Sequence, residues 1–115
     1  MRYHPRLIMK TELNDKTDWV DLVNTTFGDC IGVVMFKFGL DPDPNCEYKL
    51  TIGKLIEDQV FQSSSIVSID YPFIFYVRGY DVFQPNSPIK LSVRNLSSGI
   101  TTKTSYIFAW IEVWR

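Results

Sequence analysis

A chain of 115 residues has room for one hydrophobic core and no second domain, and it buries over ~60 % of the surface its unfolded form exposes. Twelve basic against thirteen acidic residues leave a net charge of −1, which removes the long-range pull of non-specific nucleic-acid binding and argues against a polyanion partner. Aromatics at 15 % stock a core well, and with an ordinary 22 % of charged residues they exclude intrinsic disorder.

The opening MRYHPR is locally basic, with Arg2, His4 and Arg6 around Pro5. It is too short and too proline-broken for an amphipathic anchor, so residues 1–6 are expected to form a flexible N-terminal arm. No apolar run reaches the length of a membrane span, and no uninterrupted apolar stretch of a secretory signal stands near the start. The expectation is a protein made in the cytoplasm, without membrane insertion.

Strand-like segments follow: RLIMKTEL (6–13), DWVDLVNTTF (18–27) and CIGVVMFKF (30–38). Thr17 offers a cap for a short helix over DWVDLV instead. CEYKLTI (46–52) alternates without a fault, with Cys46, Tyr48, Leu50 and Ile52 on one face and Glu47, Lys49 and Thr51 on the other. KLIEDQVF (54–61) also reads as strand, although Ile56 and Val60 stand four apart and leave a helix open. SIVSID (65–70) and FIFYVRGYDVF (73–83) come next, then SPIKLSVRNL (87–96) with Ile89, Leu91 and Val93 inward, and the chain closes on SYIFAWIEVWR (105–115). Separators such as GLDPDPN, QSSS, QPNSP and LSSG are turn chemistry. Many short strands, frequent turns and no strongly periodic helix select an all-β fold, a single antiparallel β-sandwich, jelly-roll-like, of about eight strands over residues 1–115.

Catalytic chemistry finds little footing. The one histidine, His4, lies in the arm and is a poor base for a serine or cysteine triad. Cys30 and Cys46 lack metal-ligand spacing and read as buried thiols, with a single bridge left open. Asp41, Asp43 and Asn45 stand two apart like the first ligands of a calcium loop, but the prolines between them and Ile52 at the twelfth place defeat the EF-hand turn. A rigid solvated turn is the preferred reading, and a looser calcium rim the lesser one. Glycines are scattered singly, so no phosphate-cradling loop is written, and the sequons at Asn24 and Asn95 read as chance matches. The expectation is no catalytic residue, no cofactor and no metal.

Aromatic residues carry the strongest signal. Phe73, Phe75 and Val77 share a core face, which leaves Tyr76, Arg78 and Tyr80 on an amphipathic face composed like an interface hot spot. In the closing segment, if Ile107, Ala109, Ile111 and Val113 face the core, then Tyr106, Phe108, Trp110 and Trp114 face outward; swapping the faces exposes the aliphatic set instead. Either way one apolar face needs a cover; a loop or the MRYHPR arm could supply it, but two tryptophans so close together suit a neighbouring subunit better. Tyr106, Phe108, Trp110, Trp114, Tyr76, Arg78 and Tyr80 are therefore the expected subunit interface.

DWVDLVNTTFGDCIGVVMFKF followed by YKLTIGKLIEDQVF resembles a layout of small β-sandwich modules of viral particles. In that layout a Trp-bearing strand leads through a Gly-containing turn into an apolar strand, and a later strand ends near ITIDG. Here Gly53-Lys54 stands where Asp-Gly is more usual. The resemblance implies a non-enzymatic virion structural protein (a minor capsid, decoration, vertex or fibre-head component), found in the virion as a homo-oligomer among other virion proteins. The alternative is a carbohydrate-binding β-sandwich, with Tyr76, Tyr80 or Trp19 as a platform for a glycan.

Overall fold

The computed structural model describes residues 2–62, 66–71 and 86–115. These contain eight strands and no helix: β1 (Arg2–Asn14), β2 (Val20–Thr26), β3 (Gly32–Asp41), β4 (Cys46–Ile52), β5 (Ile56–Phe61), β6 (Val67–Tyr71), β7 (Pro88–Asn95) and β8 (Thr102–Trp114). They form two four-stranded sheets, ordered β1-β8-β3-β6 and β2-β7-β4-β5, with antiparallel pairing throughout. The order has a simple origin. β1 pairs with β8, β2 with β7, β3 with β6 and β4 with β5, so the chain is one long hairpin rolled up until β8 meets β3 and β7 meets β4. This is the jelly roll, and the β-sandwich expected from the pattern is the fold.

Alternation places the core. Cys46, Tyr48, Leu50 and Ile52 of β4 and Ile89, Leu91 and Val93 of β7 are all buried, and they face Phe36, Phe38 and Leu40 of β3 and Phe108 and Trp110 of β8. The aromatic contacts are close: Phe38 and Phe108 have centroids 4.7 Å apart, and Phe27 meets Trp110 edge-on at 5.4 Å. The two segments with helical alternatives, at 18–27 and 54–61, are strands β2 and β5, whose backbone groups are taken up by antiparallel ladders to β7 and β4.

β3 achieves its burial through a bulge. Val34 lies opposite Ile111 and Lys37 opposite Ala109, so β3 carries one extra residue there, and Met35 takes a left-handed φ of 55°. The bulge resets the parity, so that Val33 before it and Phe36, Phe38 and Leu40 after it all point into the core.

Two expectations need correction or completion. Residues 2–6 are not an arm: they are the first part of β1, laddered from Arg2 opposite Trp114 to Arg6 opposite Trp110. β8 runs long enough to offer a partner for each of them, and an edge strand tolerates the N–H that Pro5 lacks. Segment 73–83, with Tyr76, Arg78 and Tyr80, lies outside the described residues.

Both cysteines are buried, and no disulfide joins them. Cys46 belongs to a polar node that fastens one end of the sandwich: its Sγ lies 3.0 Å from Thr102 Oγ1 and 3.2 Å from Asn95 Oδ1, while Asn95 Nδ2 donates to the Asn14 carbonyl at 3.0 Å. Burial pushes the Cys46 thiol above its ordinary range. Asn95 is itself buried with its amide committed, so that sequon presents no acceptor for a glycan.

Candidate functional site

The closing strand resolves its ambiguity against the expected face. Tyr106, Phe108 and Trp110 are at most 3 % exposed and lie between the sheets, so they are core residues and not an outward interface. The aromatic face is the bulkier of the two and fills the ~10 Å between packed sheets, which the smaller Ile107, Ala109 and Ile111 would leave partly empty. Trp114, at the end of the strand, is half-buried rather than displayed.

Glu112 shares this inward face and is fully buried, yet no cation pairs with it among the described residues. Its Oε2 accepts from Gly28 N–H and from Trp110 Nε1, each at 3.0 Å, and its Oε1 accepts from Trp114 Nε1 at 3.2 Å. N–H donors thus carry the buried charge, as a desolvated carboxylate requires. Gly28 is needed for close approach: a Cβ there would sit 2.5 Å from Glu112 Oε1 and 3.0 Å from the Trp114 ring.

Tyr106 Oη donates to Glu12 of β1, and burial followed by that carboxylate holds its phenol far above the ordinary range. Tyr48 Oη lies 2.7 Å from Thr104 Oγ1 and accepts from Asp43 N–H at 2.8 Å, while burial leaves its phenol pushed up to about 12.

The aliphatic residues of β8 take the outer face. Cross-strand partners share a face, so the register sets Leu7 beside Ala109 and Lys37, Met9 beside Ile107 and Gly39, and Pro5 beside Ile111 and Val34. On this face and at its lip Tyr3 (60 %), Leu7 (63 %), Met9 (66 %), Leu13 (70 %) and Ile66 (77 %) are exposed. An open groove of about 560 Å³ runs between Met9, Ile66 and Ile107 over Gly39. At position 39 a Cβ would meet the Ile107 side chain at 2.9 Å, so glycine lets Ile107 lie across β3.

At roughly 100 Å² apiece the five exposed side chains make an apolar strip of about 500 Å², inside the range of the largest patch on a typical monomer before half-buried Ile107, Ala109 and Ile111 are added. Lys37 and Asp70 face each other on its β3-β6 border, and Asp41 and Lys103 lie toward its end.

The outer face of the other sheet has the opposite character. Arg94 pairs with Glu47 at 2.9 Å, Lys90 with Asp21 at 3.7 Å, and Ser92 Oγ donates to Asp21 at 2.8 Å. Lys49 Nζ and the Arg94 guanidinium lie 4.6 and 4.8 Å from the centroid of Trp19, so cations of its own sheet occupy that ring.

In the DPDPN turn Asp43 Oδ1 accepts from Asn45 N–H at 2.9 Å and Oδ2 from Lys103 N–H at 3.2 Å, which is the rigid turn expected there. Among the described residues no group of three or more His, Cys, Asp or Glu side chains is placed to hold a metal ion. Nor is any helix among them long and apolar enough to cross a membrane.

Sequence reasoning missed Tyr3, Leu7, Met9 and Leu13. Their signal was the odd-position alternation from Tyr3 through Pro5, Leu7 and Met9 against Arg2, His4, Arg6 and Lys10, which marks a two-faced strand reaching almost to the first residue. Comparison with protein-family models, with curated proteins and with solved structures returns no match.

Proposed function

We propose that the chain is a non-enzymatic structural subunit of a viral particle, a minor capsid, decoration, vertex or fibre-head component, that assembles with further copies of itself through the outer face of the β1-β8-β3-β6 sheet. The fold alone does not choose this reading, because jelly rolls serve virion shells and lectins alike. The observation that carries it is the contrast between the two outer faces. One is covered by its own ion pairs and cation-π contacts, while the other shows an aliphatic strip with a polar border.

A second copy fits that strip. Its apolar side chains supply more than ~500 Å², and the polar border around them brings the face toward the ~800 Å² per partner of a standard interface. The border charges Lys37, Lys103, Asp41 and Asp70 balance, so two copies meeting face to face carry no net repulsion. The carbohydrate reading gains no comparable support, since the Trp19 platform is occupied by Lys49 and Arg94.

Size exclusion with light scattering tests the proposal. The protein should form a dimer or larger species whose mass depends on concentration, and Leu7→Glu should shift it to monomer by placing a charge in the contact while leaving the thermal melt of the protomer intact. A protein that stays monomeric up to about 100 µM would end the reading, because its self-contact would then be worth less than about 5.5 kcal/mol.

A further inference from the structure

The other face of β1 builds a small cationic pocket that assembly through the aliphatic strip does not use. Arg2, His4 and Arg6 occupy alternate positions of β1 and share a face, spanning ~13 Å at ~3.3 Å per residue. Together with Trp114 they line a pocket of about 280 Å³. Its aromatic wall is fixed in place. The Trp114 indole is tied to buried Glu112 at 3.2 Å, and its ring meets the His4 imidazole edge-on with centroids 5.6 Å apart.

No carboxylate side chain among the described residues forms an ion pair with the positive charge there. Among the described residues His4 and Arg6 have no side-chain hydrogen bond or ion pair, and Arg2 uses one N–H on the Arg115 carbonyl at 3.2 Å. The carboxylate opposite His4 across the ladder is Glu112, and both its oxygens are already taken by Gly28, Trp110 and Trp114.

We propose that this pocket binds a phosphate group, and binds a phosphate ester carrying a planar ring more tightly than phosphate alone. A carboxylate would be saturated by the fork of one guanidinium, leaving the second arginine uncompensated, whereas a phosphate has oxygens for Arg2, His4 and Arg6 together. A phosphomonoester's charge of about −1.5 to −2 matches the two guanidinium groups. The held indole offers a stacking face to a ring attached to the ester. A local site of this size is compatible with a net charge of −1, which bears on long polyanions and not on a single phosphate.

Calorimetric titration of the full chain with inorganic phosphate and, separately, with a nucleoside monophosphate tests the site, with the Trp114 indole N–H resonance as a second readout. Phosphate should saturate in the millimolar range, and the nucleoside monophosphate should bind about tenfold more tightly. Arg6→Ala should weaken both by about tenfold or more, Trp114→Leu should remove the preference for the ring, and Lys103→Ala should change neither. Equal affinity for the two probes would overturn the stacking role. Absence of saturation by either probe at about 50 mM, or affinities indifferent to both Arg2→Ala and Arg6→Ala, would overturn the site. Leu7→Glu should leave these affinities unchanged, which keeps failure of the pocket distinct from failure of assembly.

Discussion

Glu112 is the residue whose loss should cost the fold most for its size. In Glu112→Ala three N–H donors lose their acceptor together: Gly28 N–H, Trp110 Nε1 and Trp114 Nε1. Each buried donor left unsatisfied costs ~1–3 kcal/mol, and Trp114 is partly open to water, so the sum is about 3–6 kcal/mol. A domain of this size holds ~5–15 kcal/mol in all, so the variant should lie near or past its unfolding threshold.

Glu112→Gln separates this account from simple loss of volume. Its carbonyl can take the Oε2 position and satisfy Gly28 and Trp110, but its NH₂ then opposes the Trp114 N–H, one donor against another. A loss of about 1–2 kcal/mol is expected, well below that of alanine. Urea unfolding followed by tryptophan fluorescence measures both. Equal losses in the two variants, or losses below about 1 kcal/mol in each, would show that the carboxylate does not hold the donors.

Two further outcomes follow from backbone strain and from burial. At Met35 the left-handed φ of 55° should make Met35→Gly neutral or slightly stabilising and Met35→Val worse by about 1–2 kcal/mol, the reverse of strand propensity; thermal melts decide, and a tolerated valine would refute the bulge geometry. Tyr48 and Tyr106 have phenols raised by burial, so the unfolded chain releases those protons first. Stability should therefore hold below pH 10 and fall as pH rises from there toward about 12, by ~1.4 kcal/mol per pH unit for each tyrosine, and Tyr48→Phe should remove one share of that slope in urea titrations at several pH values.

Residues with a single possible partner were the ones that could be read without a structure. β4 and β7 alternate cleanly because each has a polar outer face and an apolar inner one, and Cys46 to Ile52 and Ile89 to Val93 lie as their pattern implies. β3 hides its period because the extra residue at Met35 shifts the parity within an unbroken apolar run. β8 cannot be assigned from pattern, since both of its faces are apolar and its one carboxylate faces inward. What tips the balance is side-chain volume and the match of two indole N–H groups to one acid, and both depend on where Gly28 and the opposing sheet lie. Residues 2–6 of β1 read as an arm because their partners in β8, Trp110 to Trp114, lie more than a hundred residues away in sequence.

Adjacent positions of β8 put this face assignment to the sharpest test. Trp110 contacts Phe27 and Phe36 and donates to Glu112, so Trp110→Ala leaves a core cavity and should cost ~3–5 kcal/mol of folding stability. Its effect on oligomer mass should come only through unfolding. Ile111 is half-buried opposite Pro5 and Val34 on the outer face, so Ile111→Lys leaves the core intact and should cost the protomer about 1 kcal/mol or less while dispersing the assembly. A strand with one wet face would tolerate a lysine at position 111 without consequence. Only a face covered by another molecule would lose its partner. Dissociation by Trp110→Ala with a stable protomer, joined to an indifferent Ile111→Lys, would reverse the faces and with them the proposed contact.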